Sequence, residues 1–505
     1  MTIQDTVESQ ALPDRPSRRL GETMLLALGL AALIAGELAI CKPRIIYDGP
    51  FVLDECLTDS IVRDPSIAHS IAAVRHGVDT NPPVFHLIER GFWALCHPLF
   101  HDSPRVALRA FATICTWLAL VGVFVMLRRA FSRFVSLVGM LAVWAHPDVV
   151  EQSVNARFYA PLLLATVAMC LSLQIRGSGI VRGILIAVCA ISLCTLHYFG
   201  ILILGPIVLA MLLIEEAALS VRIIRVLPAL AGPIALLPFI SFVHTQAQGL
   251  SVKTWVDPFT FYQARQFLQD VLCSLPLAMV LAIWAIGQMR RRISSPVTSA
   301  DRQNLRAACV PMLCLIAVPL VIVAFSAMVQ SALISRYAIA ASLSLAPLVA
   351  MLSQNTSRRA LFITAILLSG LTVMELHGAA SRRAIALRTL TDRSNEFENE
   401  QPTLPIVCAD RADATELQRF SPDLLSRMSI VDQREPGVVL RDFRQYEIEM
   451  VGKVATFYPT PPLITPAQMA TMGRFHLIAQ PDDRANLLLE LPMRRVGGDV
   501  YESLK

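Results

Sequence analysis

The sequence predicts a polytopic α-helical membrane protein, with about 11 transmembrane helices and a small C-terminal soluble α/β domain. Three observations lead there. Only 16% of the 505 residues are charged, against about 25% in an average soluble domain, and 54% are hydrophobic, with a mean hydropathy of +0.55. The apolar residues fall in uncharged runs of roughly 20 residues, enough to cross ~30 Å of hydrocarbon. Beyond residue 380 charge density rises, and β-type runs at 404–410, 428–433 and 475–480 alternate with helical stretches at 411–427 and 465–473.

Residues 1–20 read as a cytoplasmic tail, with Arg15, Arg18 and Arg19 ahead of the first span at 23–41. That run lacks a small-residue cleavage site, so it is expected to stay as a span. A polar first periplasmic loop follows at 42–105. Within it, 82–100 is apolar on one side and interrupted by His86, Glu89, Arg90 and His97, which suits a helix lying in the interface. Spans are expected at 106–127, from 134 to between 144 and 149, and at 158–175. The run 183–214 would be ~48 Å long as one helix. As one crossing it would also put Arg182 and the Arg222/Arg225 pair on opposite sides, so two short spans with a hairpin at His197–Gly200 are preferred. Further spans are expected at 226–243, broken by Pro228, Pro233 and Pro238, and at 271–289, 307–329, 337–352 and 361–376. The transmembrane domain thus covers 21–379, with the N-terminus inside and 380–505 in the periplasm. Arg382, Arg383 and Arg388 run against that side, but long translocated domains follow the charge rule weakly.

The net charge of +5 gives no nucleic-acid signal, because the arginines sit in short clusters between apolar runs. The 11 cysteines show no metal-ligand spacing. Cys56 and Cys96 share the oxidising side and could pair only if their Cα atoms approach. With this topology Asp54, Glu55, Asp79, Asp148, Glu151, Arg157, His197 and Arg336 all fall at outer loops or outer span ends. Ionisable groups there cost little if they line a wet cavity, although outer loops tolerate acids in any case.

The order LDECLTDSI, DTNPPVFHLI, SVNARFYA, THYFG, SRYAIAA resembles the GT-C superfamily of polyprenyl-phosphate-sugar-dependent glycosyltransferases, especially bacterial protein mannosyltransferase and aminoarabinose transferase types. The resemblance covers about the first 380 residues. It implies an inverting transfer from undecaprenyl phosphate to a periplasmic acceptor (lipopolysaccharide or lipid A, another glycan, or a protein hydroxyl), at the bacterial inner membrane. It implies Asp54 as the base that activates the acceptor, with Glu55 orienting a neighbour or the acceptor. Chemically, a sugar on a lipid phosphate already has a good leaving group. One carboxylate must take the acceptor proton, and cations must hold the departing phosphate. Adjacent side chains point apart, so Asp54 and Glu55 cannot act as a facing dyad; a helix N-cap is the plain alternative for Asp54.

The other candidate residues are substrate-binding. Asp79 either touches substrate or opens the rigid Pro82-Pro83 start of a helix. Family members often carry a histidine where this chain has Asn81. Arg157, beside Tyr159, offers a planar fork for phosphate. Asn155 stands where relatives often carry an acid, so no metal and no cofactor is expected. His197 could donate to the lipid phosphate, while Tyr198 also suits interfacial anchoring. Arg336, followed by Tyr337, opens a span from outside and is the preferred phosphate cation. Tyr47, Trp93, Trp255 and Phe261 could stack on sugars or anchor the belt. A transporter or flippase of lipid-linked sugar is the alternative. The chain shows no internal repeat and keeps its ionisable residues at the rim, both unlike transporters. A mere membrane anchor would need far fewer spans.

Overall fold

The computed structural model describes residues 29, 32–100, 103–175, 179–214, 218–248, 259–272, 299–354, 356–400, 403–432, 442–479, 493–497 and 499–504. Among them six helices are long and apolar enough to cross a membrane: Pro104–Leu127, Gly179–Leu196, Leu219–Gln246, Gln303–Met328, Ser335–Ser353 and Arg358–Glu398. A seventh crossing arises if Arg133–Trp144 and Pro147–Ser153, bent by 75° at their junction, form one broken span. Tyr159–Ser172 and Gly200–Ile214 are apolar but shorter. The tail 1–20, part of the 23–41 span, Trp255 and nearly all of 271–289 lie outside the described residues.

Local chemistry explains the helix limits. Ser103, Ser132 and Ser357 cap three helices by accepting from Val106, Val135 and Ala360 N–H. The expected 32-residue run is two helices that pack on each other, interrupted at His197–Phe199. A Cβ on Gly200 would stand 1.9 Å from Leu193 O, so only glycine permits that tight approach. Similarly, a Cβ on Gly122 would meet Val167 Cγ1 at 2.5 Å, and its absence lets Pro104–Leu127 and Tyr159–Ser172 pack closely. Pro228 and Pro238 sit at the starts of 3-10 turns, Leu227–Leu230 and Leu237–Phe239, inside the otherwise helical Leu219–Gln246 stretch. The interfacial stretch is a helix, Val84–Cys96, with Phe85, His86 and Glu89 turned inward.

The last long helix, Arg358–Asn395, runs through residue 380 without a break. Its arginines are used in packing. Arg383 is buried and donates to Ile46 O and Val154 O, each at 2.6 Å, and Arg382 pairs with Glu151 at 3.1 Å. Beyond it lies a six-stranded sheet of β1 (Ile406–Cys408), β2 (Met428–Val431), β3 (Leu463–Ile464), β4 (His476–Ile478), β5 (Met493–Gly497) and β6 (Val500–Ser503). The order is β3-β2-β1-β4-β6-β5; β3 to β4 are parallel, and β6 and β5 pair antiparallel. Ile406 and Cys408 face one apolar cluster while Val407 faces another, so the sheet is buried on both sides. Cys56 and Cys96 are free thiols; Cys56 donates to Phe51 O.

Candidate active site

The helix Leu53–Val62 sends its two acidic residues in different directions. Glu55 is fully buried and grips Arg109, accepting from Nε at 2.9 Å and Nη2 at 2.6 Å. It also accepts from Ala156 N at 2.9 Å and Val52 N at 3.2 Å. Arg109 spends its remaining donors on the carbonyls of Ile46, Tyr47, Gly49 and Pro50. Burial pushes the Glu55 carboxyl up, but Arg109, then Arg383 and the Ala156 N–H, outweigh it and bring its pKa to about 2. Glu55 therefore points into the protein and is not among the residues lining the cavity that Asp54 borders, which departs from its grouping with Asp54 as a catalytic residue. One residue of helical rotation, about 100°, separates the two side chains and turns only Asp54 outward.

Asp54 borders a cavity of about 400 Å³. The same cavity is lined by Asp79, Arg157, Tyr159, His197, Arg336 and Tyr337, brought from four further segments. Asp54 Oδ2 lies 3.3 Å from Arg336 Nη2. Arg157 Nη1 donates to Asp79 Oδ2 at 2.8 Å, Thr58 Oγ1 at 2.9 Å and Asp54 O at 3.1 Å. Burial would raise the Asp79 pKa, but Arg157 and then His86 hold it well below the usual carboxylate range. Asp79 thus anchors Arg157, while Asp54 keeps an accessible carboxylate. His197 stacks on Phe158 at 4.1 Å between ring centroids. Its Nδ1 accepts from Phe199 N at 3.1 Å, which leaves Nε2 to carry the proton. Burial and then Arg157 push its pKa down to about 3, so it is a neutral donor. The Tyr159 ring lies under the Arg336 guanidinium, 5.7 Å from its centre.

Each of these side chains sits where a helix starts or breaks. Asp79 precedes Pro82-Pro83, Arg157 lies just ahead of Tyr159–Ser172, His197 lies between two helices, and Arg336 opens the 3-10 segment Ser335–Ser344. No protein-family model matches the sequence, and no curated protein matches it. Solved structures do. The structure of ArnT from Cupriavidus metallidurans bound to undecaprenyl phosphate matches with a TM-score of 0.57 at 12% identity, over 94% of this chain and 97% of that one. The apo structure of the same protein matches with a TM-score of 0.59 at 13% identity and the same coverage. The chain has the ArnT fold. The likeness covers 94% of the chain, so it extends over the C-terminal region as well as the membrane part.

On this ArnT fold one expected substrate contact, Tyr198, falls elsewhere, and Asp148 and Asn155 are taken up in packing. Tyr198 does not line the cavity; its hydroxyl donates to Gln246 Oε1 at 3.4 Å, and Gln246 in turn holds Val74 O at 2.9 Å and Asp79 O at 3.4 Å. Asp148 accepts from Ser335 Oγ at 3.0 Å, and Asn155 Oδ1 accepts from Arg383 at 2.6 Å. Among the described residues no three His, Cys, Asp or Glu side chains gather as metal ligands. The sequence reading also missed residues. Arg109 is a lone charge early in an apolar run, a signal for a buried partner. Arg411, Glu416 and Met450 of the C-terminal region line the cavity too, and nothing in their local sequence marks them.

Proposed function

We propose that this protein is an inverting glycosyltransferase that moves one sugar from polyprenyl (undecaprenyl) phosphate to a cell-envelope acceptor. The observation that carries this is the shared cavity of Asp54 and Arg336, flanked by Arg157 and the neutral His197. The ArnT fold, with a relative solved on undecaprenyl phosphate, supports the donor class. In the proposed step the acceptor hydroxyl attacks the anomeric carbon from the face opposite the phosphate. The new C–O bond forms as the C–O bond to phosphate breaks, and the leaving electron pair stays on the phosphate. Asp54 takes the hydroxyl proton. Arg336, Arg157 and the His197 Nε2–H hold the phosphate, with Tyr159 and Tyr337 walling the cavity. Donor phosphate competes for Arg336 and so frees the Asp54 oxygen for the acceptor. Asp79 acts by fixing Arg157.

The cavity faces the periplasm in this reading, above about eleven inner-membrane crossings, with a periplasmic C-terminal domain. The test is transfer by the purified protein. Radiolabelled undecaprenyl-phosphate monosaccharides, a panel of hexoses, pentoses and aminoarabinose, are incubated with an envelope extract, with Asp54→Asn as control. Label moving to an acceptor with wild type and not with the variant is expected. Label crossing vesicle membranes without bond transfer would sink the reading in favour of a flippase.

A further inference from the structure

The C-terminal region does more than sit above the cavity. Its helix Arg411–Phe420 lies against the helix that carries Asp54 and touches it at two places. Glu416 Oε1 accepts from Leu53 N at 3.0 Å, and Arg419 Nη2 lies 3.4 Å from Asp59 Oδ2. Leu53 is the first residue of its helix, so its N–H has no partner within that helix. The residue before it is Val52, which has no side-chain oxygen to offer as a cap. Glu55 satisfies the Val52 N–H. The Leu53 N–H is satisfied from a residue 363 positions later. Burial raises the Glu416 pKa to about 7, so its oxygen serves the Leu53 N–H chiefly as a hydrogen-bond acceptor. Asp54 is the next residue along, and Arg411, Ala412 and Glu416 share the cavity wall with it.

We propose that Glu416 is a positioning residue for Asp54, so that the C-terminal domain is a working part of the active site. It sets where the helix begins, and hence the direction in which the Asp54 carboxylate points toward Arg336. This rests on the reading of Asp54 as the acceptor base.

The test compares Glu416→Ala and Glu416→Gln in the full-length protein in lipid nanodiscs. Gln keeps an oxygen for the Leu53 N–H, whereas Ala removes it. Amide hydrogen exchange at the start of Leu53–Val62 is expected to speed up roughly fivefold or more in Glu416→Ala, as loss of one buried hydrogen bond requires, and to stay slow in Glu416→Gln. In the transfer assay Glu416→Ala should lose at least tenfold in kcat, with binding of undecaprenyl phosphate changed less than twofold. Glu416→Gln should recover most of the rate. Wild-type exchange and kcat in Glu416→Ala overturns the proposal. So does a Gln variant as impaired as Ala, or faster exchange spread equally across Arg411–Phe420, which marks an undocked domain. Absence of transfer by wild type removes the parent reading instead, and the exchange comparison still decides whether Glu416 caps the helix.

Discussion

Replacing Glu55 by alanine should unfold this protein far more readily than replacing its neighbour Asp54. Glu55 is fully buried and receives four hydrogen bonds, two from Arg109 and one each from Ala156 and Val52 N–H. Removing it leaves Arg109, also fully buried, without its counter-charge. Breaking one side of such a buried pair costs about 3–5 kcal/mol. The depressed pKa gives a similar figure: a fall from 4.5 to about 2 corresponds to roughly 3 kcal/mol at neutral pH. The sign follows from the depressed value. This stability is fully present above about pH 4.5 and is lost as pH falls towards 2. Asp54, by contrast, makes one side-chain ion pair with Arg336 and is 38% exposed, so its removal should cost under about 1 kcal/mol. Thermal unfolding in detergent, followed by size-exclusion chromatography, measures both variants. The expected pattern is a large fall in Tm, or no monodisperse protein, for Glu55→Ala, and a wild-type Tm for Asp54→Ala. A Glu55→Ala protein with wild-type Tm and no transfer activity would refute the structural role assigned to Glu55 and return it to the chemistry.

Asp54→Asn should lower kcat by roughly 10²- to 10⁴-fold, the range for losing a general base, with Tm unchanged; an active Asn variant removes Asp54 from the mechanism. Arg336→Ala should weaken binding of undecaprenyl phosphate more than Arg336→Lys, measured by tryptophan quenching; equal, mild effects place Arg336 outside the phosphate site. His197 binds its proton only near pH 3 in the folded protein, against 6.5 as its ordinary value, so it stays neutral through the working range. It therefore adds no limb to the pH–rate profile between pH 5 and 8, and because the unfolded chain takes the proton first, it lowers stability as pH falls below 6.5. A limb in that interval that disappears in His197→Gln would contradict this. A reporter fused to the C-terminus and active only in the periplasm should give signal; a cytoplasmic signal would overturn the parity of the span count.

The helical class, the hairpin at His197 and the strands near 406, 428 and 476 were legible because each rests on local chemistry. Runs of apolar residues have nowhere to go but lipid or core, and the tight turn at His197–Gly200 is local backbone chemistry that glycine permits. The cavity residues from Asp54 to Tyr337 were legible for the same reason, since polar groups at the ends of apolar runs must turn toward water or toward each other. Other features depended on contacts between distant segments. Glu55 and Arg109 are 54 positions apart, and Leu53 and Glu416 are 363 apart. A local pattern says only that a charge needs a partner. Which partner it finds is set by how the helices cross, and that packing alone turned Glu55 into the buried support of its own helix, put Arg383 into the protein interior, and brought Glu416 of the C-terminal domain to the first N–H of the helix that carries Asp54.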